Sequence, residues 1–240
     1  MQRLQSARTA AISGDMTETN QPMRVGIIPV TPLQQNCSLI WCTKTMRGAL
    51  VDPGGDLPKL KQALEKTGVT LEKILVTHGH LDHCGQAGVL AKEMGVPIEG
   101  PQEEDRFWIA QLDDDGPRWN MEAHTFEPDR WLEDGDKVTV GELELDVVHC
   151  PGHTPGHVIF HHGPSQFAIV GDVLFQGGIG RWDFPRGNLQ DLLDSITKKL
   201  WPLGDDVTFV PGHGPVSTFG DERRTNPYVS DAAIKRGLPV

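Results

Sequence analysis

Short apolar runs bounded by Gly, Pro, Asn and Asp recur along the chain from Val25 onward, which is the pattern of β-strands. The best-fitting runs are VGIIPV (25–30), CSLIW (37–41), GALVD (48–52), KILVT (73–77), HVIFHH (157–162), FAIVGD (167–172) and DVTFVPG (206–212). A longer stretch, KVTVGELELDVVH (137–149), contains the turn residues Gly141 and Glu142 and therefore predicts a hairpin.

Apolar residues spaced three or four apart predict three helices. These are DLPKLKQALEKTG (56–68), a stretch from about Asp82 to Met94, and NLQDLLDSITKKL (188–200). Asp56 and Asn188 are the predicted N-terminal caps, and Gly68 ends the first helix. Residues 101–135 are less regular: their aromatic residues indicate a partly packed segment, and DDDG (113–116) indicates a turn.

The strands fall into two groups, and helices follow each group. This order predicts an α/β protein built as a layered sandwich with helices outside the sheets. We find no linker after residue 23 and expect one domain over 23–240, preceded by a disordered extension over 1–22.

Composition narrows the classes of function. The 240 residues carry a net charge of −11 and no run of basic residues longer than a pair, which argues against a nucleic-acid partner. No apolar run has the length of a membrane span, so we expect no membrane insertion. The four cysteines form no C-x-x-C pair, which favours reduced, buried thiols and a cytoplasmic protein.

A cluster of metal-ligand residue types follows the strand at 73–77, in the sequence VTHGHLDHCG. Three further strands also end in such residues. The seven candidates are His78, His80, Asp82, His83, His153, Asp172 and His213. Strand ends that lie in register meet at one edge of a sheet, so we expect these side chains to converge there.

The number of candidates indicates two metal ions rather than one. A catalytic zinc ion uses about three protein ligands and an open position, whereas a structural zinc site is closed by four. Seven candidates exceed the need of one ion and suit two, with one carboxylate bridging them. Imidazole and carboxylate ligands suit zinc, iron or manganese. We interpret three other histidines, namely His124, His161 and His162, as ordinary surface or core residues.

The motifs THGHLDH, PGHTPGH, GD after an apolar strand, and PGHG resemble, in this order, those of the metallo-β-lactamase fold superfamily. The resemblance covers residues 24–216 and implies an αββα sandwich, two mixed β-sheets flanked by helices. It implies that His78, His80 and His153 hold one metal ion, that Asp82, His83 and His213 hold a second, and that Asp172 bridges them.

Within this superfamily the chain is most similar to short, single-domain bacterial glyoxalase II-like proteins, on the segments LVDPGGD, HCPGHTPGH and GDVLFQGGIGR. The implied reaction is hydrolysis of an anionic glutathione thioester, with S-D-lactoylglutathione as the expected substrate. A hydroxide held by the metal ions would attack the thioester carbonyl, with Asp82 and Asp172 as catalytic residues that position it. Asp52 and His157 are expected either to orient the ligands or to make plain structural hydrogen bonds.

Two departures from the long glyoxalase II proteins leave the substrate open. Only 25 residues follow Pro215, where the long proteins have a helical domain, and Arg181 and Trp182 replace a Lys and a Tyr. Arg181, Arg186 and Arg223 are candidates to bind a substrate carboxylate, or else form surface ion pairs. The alternative function is a mononuclear iron persulfide dioxygenase, because GRWDF (180–184) matches the GRxDF segment of that family. A nuclease of the same superfamily is disfavoured by the charge.

Overall fold

The computed structural model describes residues 22–237, so the predicted disordered extension lies, except for Pro22, outside the described residues. The strands are β1 Met23–Val30, β2 Gln35–Cys42, β3 Arg47–Val51, β4 Thr70–Leu75, β5 Ile98–Glu99, β6 Lys137–Val140, β7 Leu143–His149, β8 Val158–His162, β9 Phe167–Gly171, β10 Leu174–Phe175, β11 Gly178–Ile179, β12 Thr208–Pro211 and β13 Ser217–Thr218. All the predicted strands are therefore present, including the hairpin of β6 and β7.

Eight α-helices lie between or after these strands in the described part of the chain. They are α1 Leu57–Thr67, α2 Leu81–Cys84, α3 Ala87–Met94, α4 Arg106–Ile109, α5 Leu112–Trp119, α6 Leu189–Asp194, α7 Phe219–Thr225 and α8 Asp231–Arg236. Short 3₁₀ segments occur at Glu103–Asp105, Gly163–Ser165 and Trp201–Leu203, and a π-helical segment, Ser195–Leu200, continues α6.

Two mixed sheets contain most of the strands. In the first, the order is β1-β2-β3-β4-β5, antiparallel as far as β3 and parallel from β3 to β5. In the second, the order is β13-β12-β9-β8-β7-β6, and only β12 and β9 pair in parallel. Strands β7, β9 and β12 consequently all end at the same edge of the second sheet.

Strand residues alternate between two apolar layers, because successive side chains point to opposite faces. Leu39 packs in a cluster with Leu60 and Leu90 from α1 and α3, whereas its neighbour Ile40 packs between the sheets. In the second sheet Phe160 packs between the sheets and Ile159 faces α6. The layers are helix, sheet, sheet, helix, which confirms the predicted αββα sandwich.

The helix predicted over 82–94 is wrong as one element, because it is broken at Gly85. The Gly85 carbonyl accepts a hydrogen bond from the His124 backbone N–H (2.8 Å), and Gln86 adopts φ −112° and ψ 12°. A partner 39 residues away in the sequence therefore ends α2 after one turn and lets α3 begin in a new direction.

Three other local predictions differ from the structure. Asp56 does not cap α1: it has φ 54°, and its carboxylate accepts the Thr31 N–H (3.1 Å). The DDDG sequence lies inside α5 rather than in a turn, with Asp113–Asp115 favourably placed at the helix N-terminus. The helix predicted over 188–200 becomes π-helical from Ser195. Two helix ends are confirmed: Asn188 caps α6, and Gly68 ends α1.

The four cysteines are buried and free, as predicted. Within residues 22–237, none of the helices combines the length and apolar composition needed to cross a bilayer.

Candidate metal centre

The seven predicted ligands meet at the edge where the carboxyl ends of the two sheets adjoin. His78 and His80 lie in the loop after β4, and Asp82 and His83 are on α2. The second sheet provides His153 after β7, Asp172 after β9, and His213 after β12. Both sheets therefore contribute side chains to one site.

Three imidazoles form a first group, which we call the three-histidine cluster (His78, His80 and His153). The Nδ1 atom of His80 lies 3.2 Å from His78 Nε2 and 3.0 Å from His153 Nε2. All three side chains lie close enough to bind one cation together. This arrangement is that of three ligands around a metal ion with an open position.

A second group, the mixed cluster, consists of Asp82, His83 and His213, and it can also bind one cation. Asp82 Oδ2 lies 3.1 Å from His213 Nε2 and 3.8 Å from His83 Nε2. Since one carboxylate and two imidazoles converge here, the donor set suits zinc, iron or manganese.

Asp172 stands between the two clusters. Its Oδ1 is 3.3 Å from His83 Nε2, and its Oδ2 is 3.6 Å from His153 Nε2 and 3.8 Å from His213 Nε2. One oxygen thus faces the mixed cluster while the other approaches both clusters. A carboxylate in this position can bridge two cations.

Backbone carbonyls determine which ring nitrogens point inward. His153 Nδ1 is 2.7 Å from the Arg181 carbonyl oxygen, and His213 Nδ1 is 3.2 Å from that of Leu33. A carbonyl can only accept, so each Nδ1 carries a proton and donates it. The Nε2 atoms are therefore the ring nitrogens directed at the centre, where they can bind a metal ion once unprotonated.

Asp52 and Thr77 orient the imidazole rings of His78 and His83. The Asp52 carboxylate accepts from Thr77 N–H (2.7 Å) and Thr77 Oγ1 (2.6 Å), and it lies 2.9 Å from His83 Nδ1. Because the Thr77 hydroxyl donates to Asp52, it can accept from His78 Nδ1 (3.0 Å). Asp52 is therefore placed to orient one imidazole directly and one through Thr77.

Polar atoms without hydrogen-bond partners show that the site suits a cation. His83 Nε2 and Asp172 Oδ1 are buried and make no hydrogen bond within the described residues, although they are only 3.3 Å apart. Leaving such atoms unpaired is costly. A cation between them would satisfy both atoms, so the residues present fit a metal ion.

The ionisation of the two clusters differs. Burial, reinforced by neighbouring imidazoles, lowers the pKa of His78 and His80 well below the usual range, so both are neutral. Burial opposes charge on His83 too, but Asp172 and Asp82 outweigh it and raise the pKa of His83 well above its usual value. His213 has its pKa raised by the hydrogen bond to Asp82, against the effect of burial.

His157 immediately precedes β8 of the second sheet and adjoins the centre. Its Nε2 accepts the backbone N–H of Asp172 (3.1 Å), and its ring stacks on that of His78 with centroids 4.6 Å apart. Burial lowers the pKa of His157 well below the usual range, which keeps this acceptor neutral. His157 is therefore placed to orient Asp172 and to support His78.

The three candidate arginines are placed differently. Arg181 pairs with Asp183 and stacks over Phe184 (4.3 Å), whose ring contacts those of His80 and His153. Arg181 therefore lies at the rim of the centre. Arg186 pairs with Glu104 and stacks on Phe107, and Arg223 pairs with Asp205 and Asp231. Within the described residues no contact links Arg223 to the centre, which matches the alternative of a surface ion pair.

The three histidines interpreted as ordinary residues lie outside both clusters. His124 is exposed beside Asp113, and His161 and His162 are buried in β8. Sequence reasoning missed Asp105 in the irregular segment 101–135. This fully buried carboxylate contacts the loops of both His80 and His153, and no local pattern signals those contacts.

Comparison with known proteins identifies the family of this chain. A family model described as the metallo-beta-lactamase superfamily matches residues 30–213, which includes all seven candidate ligands. The chain belongs to the metallo-β-lactamase superfamily. A hydroxyacylglutathione hydrolase, GloC of Haemophilus influenzae, is 44% identical over 210 residues, covering 87% of this chain and 99% of the relative.

Solved structures of this superfamily share the fold. The B3 metallo-beta-lactamase BLEG-1 superposes with a TM-score of 0.79 at 32% identity, covering 86% of this chain and 99% of that one. TTHA1623 in a di-iron-bound form gives 0.77 at 33% identity, covering 85% and 99%. ETHE1 from Myxococcus xanthus gives 0.68 at 26% identity, covering 86% and 84%. The chain is thus of the metal-dependent hydrolase type, with clusters suited to two metal ions.

Proposed function

We propose that this protein is a two-metal hydrolase that cleaves a glutathione thioester such as S-D-lactoylglutathione. The observation that carries the proposal is the position of Asp172 between the three-histidine cluster and the mixed cluster, within 3.8 Å of a nitrogen in each. The relative GloC, described as a hydroxyacylglutathione hydrolase, supports the substrate class.

The centre would hold two divalent cations, for which zinc is the first expectation and iron or manganese the alternatives. The three-histidine cluster would hold one cation and the mixed cluster the other, with Asp172 between them. Cations so held lower the pKa of water and polarise a carbonyl oxygen, which is the chemistry that thioester hydrolysis requires. A di-iron form of a structural relative is consistent with such a pair.

The chain's own carboxylates serve as positioning groups for the attacking water. His83 and the other imidazoles hold the pKa of Asp172 well below its usual range, although burial opposes this, so Asp172 stays ionised. Asp82 is likewise held ionised by His83, despite its burial. Both carboxylates can therefore accept a hydrogen bond and fix the direction of attack. The departing thiol has a pKa near ~8.5 and leaves as a thiolate without a strong acid.

The rim residues provide a surface for the glutathione portion of the substrate. Phe184 contacts the rings of His80 and His153, and the Arg181 guanidinium lies over Phe184. A carboxylate of an anionic substrate can take the place of Asp183 on Arg181, because both partners of that pair are exposed. Free, buried cysteines fit a reducing cytoplasm, the compartment we propose.

The test measures the metal content of the protein and its cleavage of the thioester. Protein purified without added metal is analysed for bound metal and assayed for cleavage of S-D-lactoylglutathione. We expect close to two ions per chain and rapid cleavage, and we expect Asp172→Asn to lose at least about 10–100-fold in kcat/KM. Asp206→Asn, an exposed aspartate, serves as the matched control and should retain full activity.

The dioxygenase alternative retains one supporting observation, the segment from Arg181 to Phe184 that borders the three-histidine cluster. Oxygen uptake with glutathione persulfide measures it directly. One iron per chain, oxygen uptake and no thioester cleavage would replace the hydrolase by the dioxygenase.

A further inference from the structure

The segment 102–109 packs between the two turns that carry the three-histidine cluster, namely residues 78–80 and 153–156. A methyl group added at Gly79 would lie 2.7 Å from Trp108 Cβ. One added at Gly156 would lie 2.4 Å from the Gln102 carbonyl oxygen and 2.8 Å from Asp105 Cβ. Both turns therefore contact this segment so closely that neither Gly79 nor Gly156 has space for a side chain.

The carboxylate of Asp105 joins the two turns. Its Oδ2 accepts from the Gly79 N–H (2.9 Å) and from Thr154 Oγ1 (2.7 Å), and its Oδ1 accepts from the Gly156 N–H (2.6 Å). Gly79 lies between His78 and His80, and Thr154 follows His153 directly. All three donors thus belong to turns that hold the imidazoles.

Asp105 is an unusual residue to bury here. It is completely inaccessible to solvent, and no basic side chain among residues 22–237 pairs with it. Burial raises the pKa of Asp105 to about 6, against three hydrogen bonds that lower it. Burying a carboxylate is costly even when it is hydrogen-bonded, so a purely apolar contact would serve packing alone better.

We propose that Asp105 is a positioning residue that sets the distance between the His78–His80 turn and His153, and thereby the metal affinity of the three-histidine cluster. His80 Nδ1 lies 3.0 Å from His153 Nε2 although 73 residues separate them, and Asp105 is the side chain that bonds to both turns. This inference rests on the two-metal centre of the proposed function but not on its substrate.

The first test is Asp105→Asn, which keeps the shape of the side chain. Asparagine has one acceptor oxygen, so its NH₂ group must face a donor N–H in one of the two turns. We expect the zinc affinity of one bound ion to fall about 10–100-fold, the usual effect of removing a ligand-orienting group, with the other ion nearly unchanged. Chelator competition on the metal-loaded protein measures both dissociation constants.

Glu222→Gln is the matched control. Glu222 is a buried carboxylate that also accepts three hydrogen bonds, from Ser217 Oγ (2.6 Å), the Gly177 N–H (2.8 Å) and Asn226 Nδ2 (2.9 Å). These donors lie outside the turns of the three-histidine cluster. We expect this variant to lower the unfolding temperature while leaving both zinc dissociation constants within about threefold of the unaltered protein.

Thr154 supplies a second pair of variants in case Asp105→Asn does not fold. Thr154→Val removes one donor to Asp105 at nearly constant volume, and Thr154→Ser retains it. Zinc affinity should fall in the first and recover in the second. With bound cobalt in place of zinc, the visible absorption bands should change in Asp105→Asn and Thr154→Val alone.

Unchanged zinc affinity and cobalt bands in Asp105→Asn and Thr154→Val, with only a loss of stability as in Glu222→Gln, would overturn the inference. Failure of the proposed function looks different. In that case the unaltered protein binds two ions but does not cleave the thioester, and the effect of Asp105 on metal affinity can still be measured.

Discussion

Single residues at the centre differ in whether they hold a proton before a metal ion binds. His78 and His80 are kept neutral by burial and by neighbouring imidazoles, so their inward nitrogens are free. In His83 the Nδ1 is beside Asp52, and the carboxylates of Asp172 and Asp82 raise the pKa despite burial. A cation in the mixed cluster must therefore displace protons, whereas one in the three-histidine cluster need not.

We predict that metal binding releases protons at neutral pH. The pKa values of His83 and His213 are raised above their usual 6.5, so both histidines bind protons near pH 7 in metal-free protein. Titration calorimetry of zinc in buffers of different ionisation enthalpy should show release of protons from these histidines. The number should fall as the pH rises past the pKa values. No release at pH 7 would contradict the assignment.

A second residue-scale prediction concerns Asp52, which bonds to Thr77 and faces His83. Asp52→Asn removes the negative charge that holds the His83 N–H, so zinc affinity should fall about 10–100-fold. The matched control is Asp56→Asn in the same loop. Asp56 and Asp52 both have a left-handed backbone (φ 54° and 57°), which Asn tolerates. The Asp56 carboxylate, however, accepts a hydrogen bond from Thr31 and not from Thr77. Equal affinity in both variants would remove the role of Asp52.

At the scale of elements, the ligand turns depend on close backbone contacts. Gly79→Ala would place a methyl 2.7 Å from Trp108 Cβ, which cannot swing away as a flexible side-chain end can. We expect a loss of about 1–3 kcal/mol in unfolding free energy, with weaker metal binding. Gly163→Ala is the control, because its added methyl meets only His161 Cε1 at 3.7 Å. Denaturant unfolding with bound metal measures the difference.

Elements with a strong local pattern could be predicted from the sequence, and those decided by distant partners could not. The strands and the helix ends at Gly68 and Asn188 follow from nearby residues. The break at Gly85 depends on His124, 39 residues away. Asp105 bonds to residues 26, 49 and 51 positions away, so its place at the site exists only once the two sheets have packed.

The seven candidate ligands were predictable for a different reason. Each lies a few residues beyond the end of an apolar strand, in a turn or on the short helix α2, and strands that run in the same direction bring their ends to one edge. The rim residues lacked such a signal. Arg181 and Arg223 are both candidates from the sequence, but among the described residues Arg181 adjoins the centre through Phe184 and Arg223 pairs with Asp205 and Asp231 instead.

At the scale of the whole molecule, the centre joins two sheets that otherwise meet through an apolar layer. Residues such as Leu75 of the first sheet and Val147 of the second pack together in that layer. At the edge, His78 and His83 come from the first sheet, and His153 and Asp172 come from the second. Metal ions held by both sets would therefore cross-link the sheets beyond what burial of apolar surface provides.

Removing the metal should consequently lower the thermal stability of the entire domain. An ion at a free concentration 100 times its dissociation constant adds about 2.7 kcal/mol to the folded state, and in a domain of this size each kcal/mol moves the unfolding temperature by about 2–4 °C. We expect chelation to lower the calorimetric transition by roughly 5–10 °C per ion and added zinc to restore it. Asp172→Asn, which lacks the bridging charge, should show a smaller shift. If the stripped protein unfolds at the same temperature as the loaded one, the metal ions do not link the sheets.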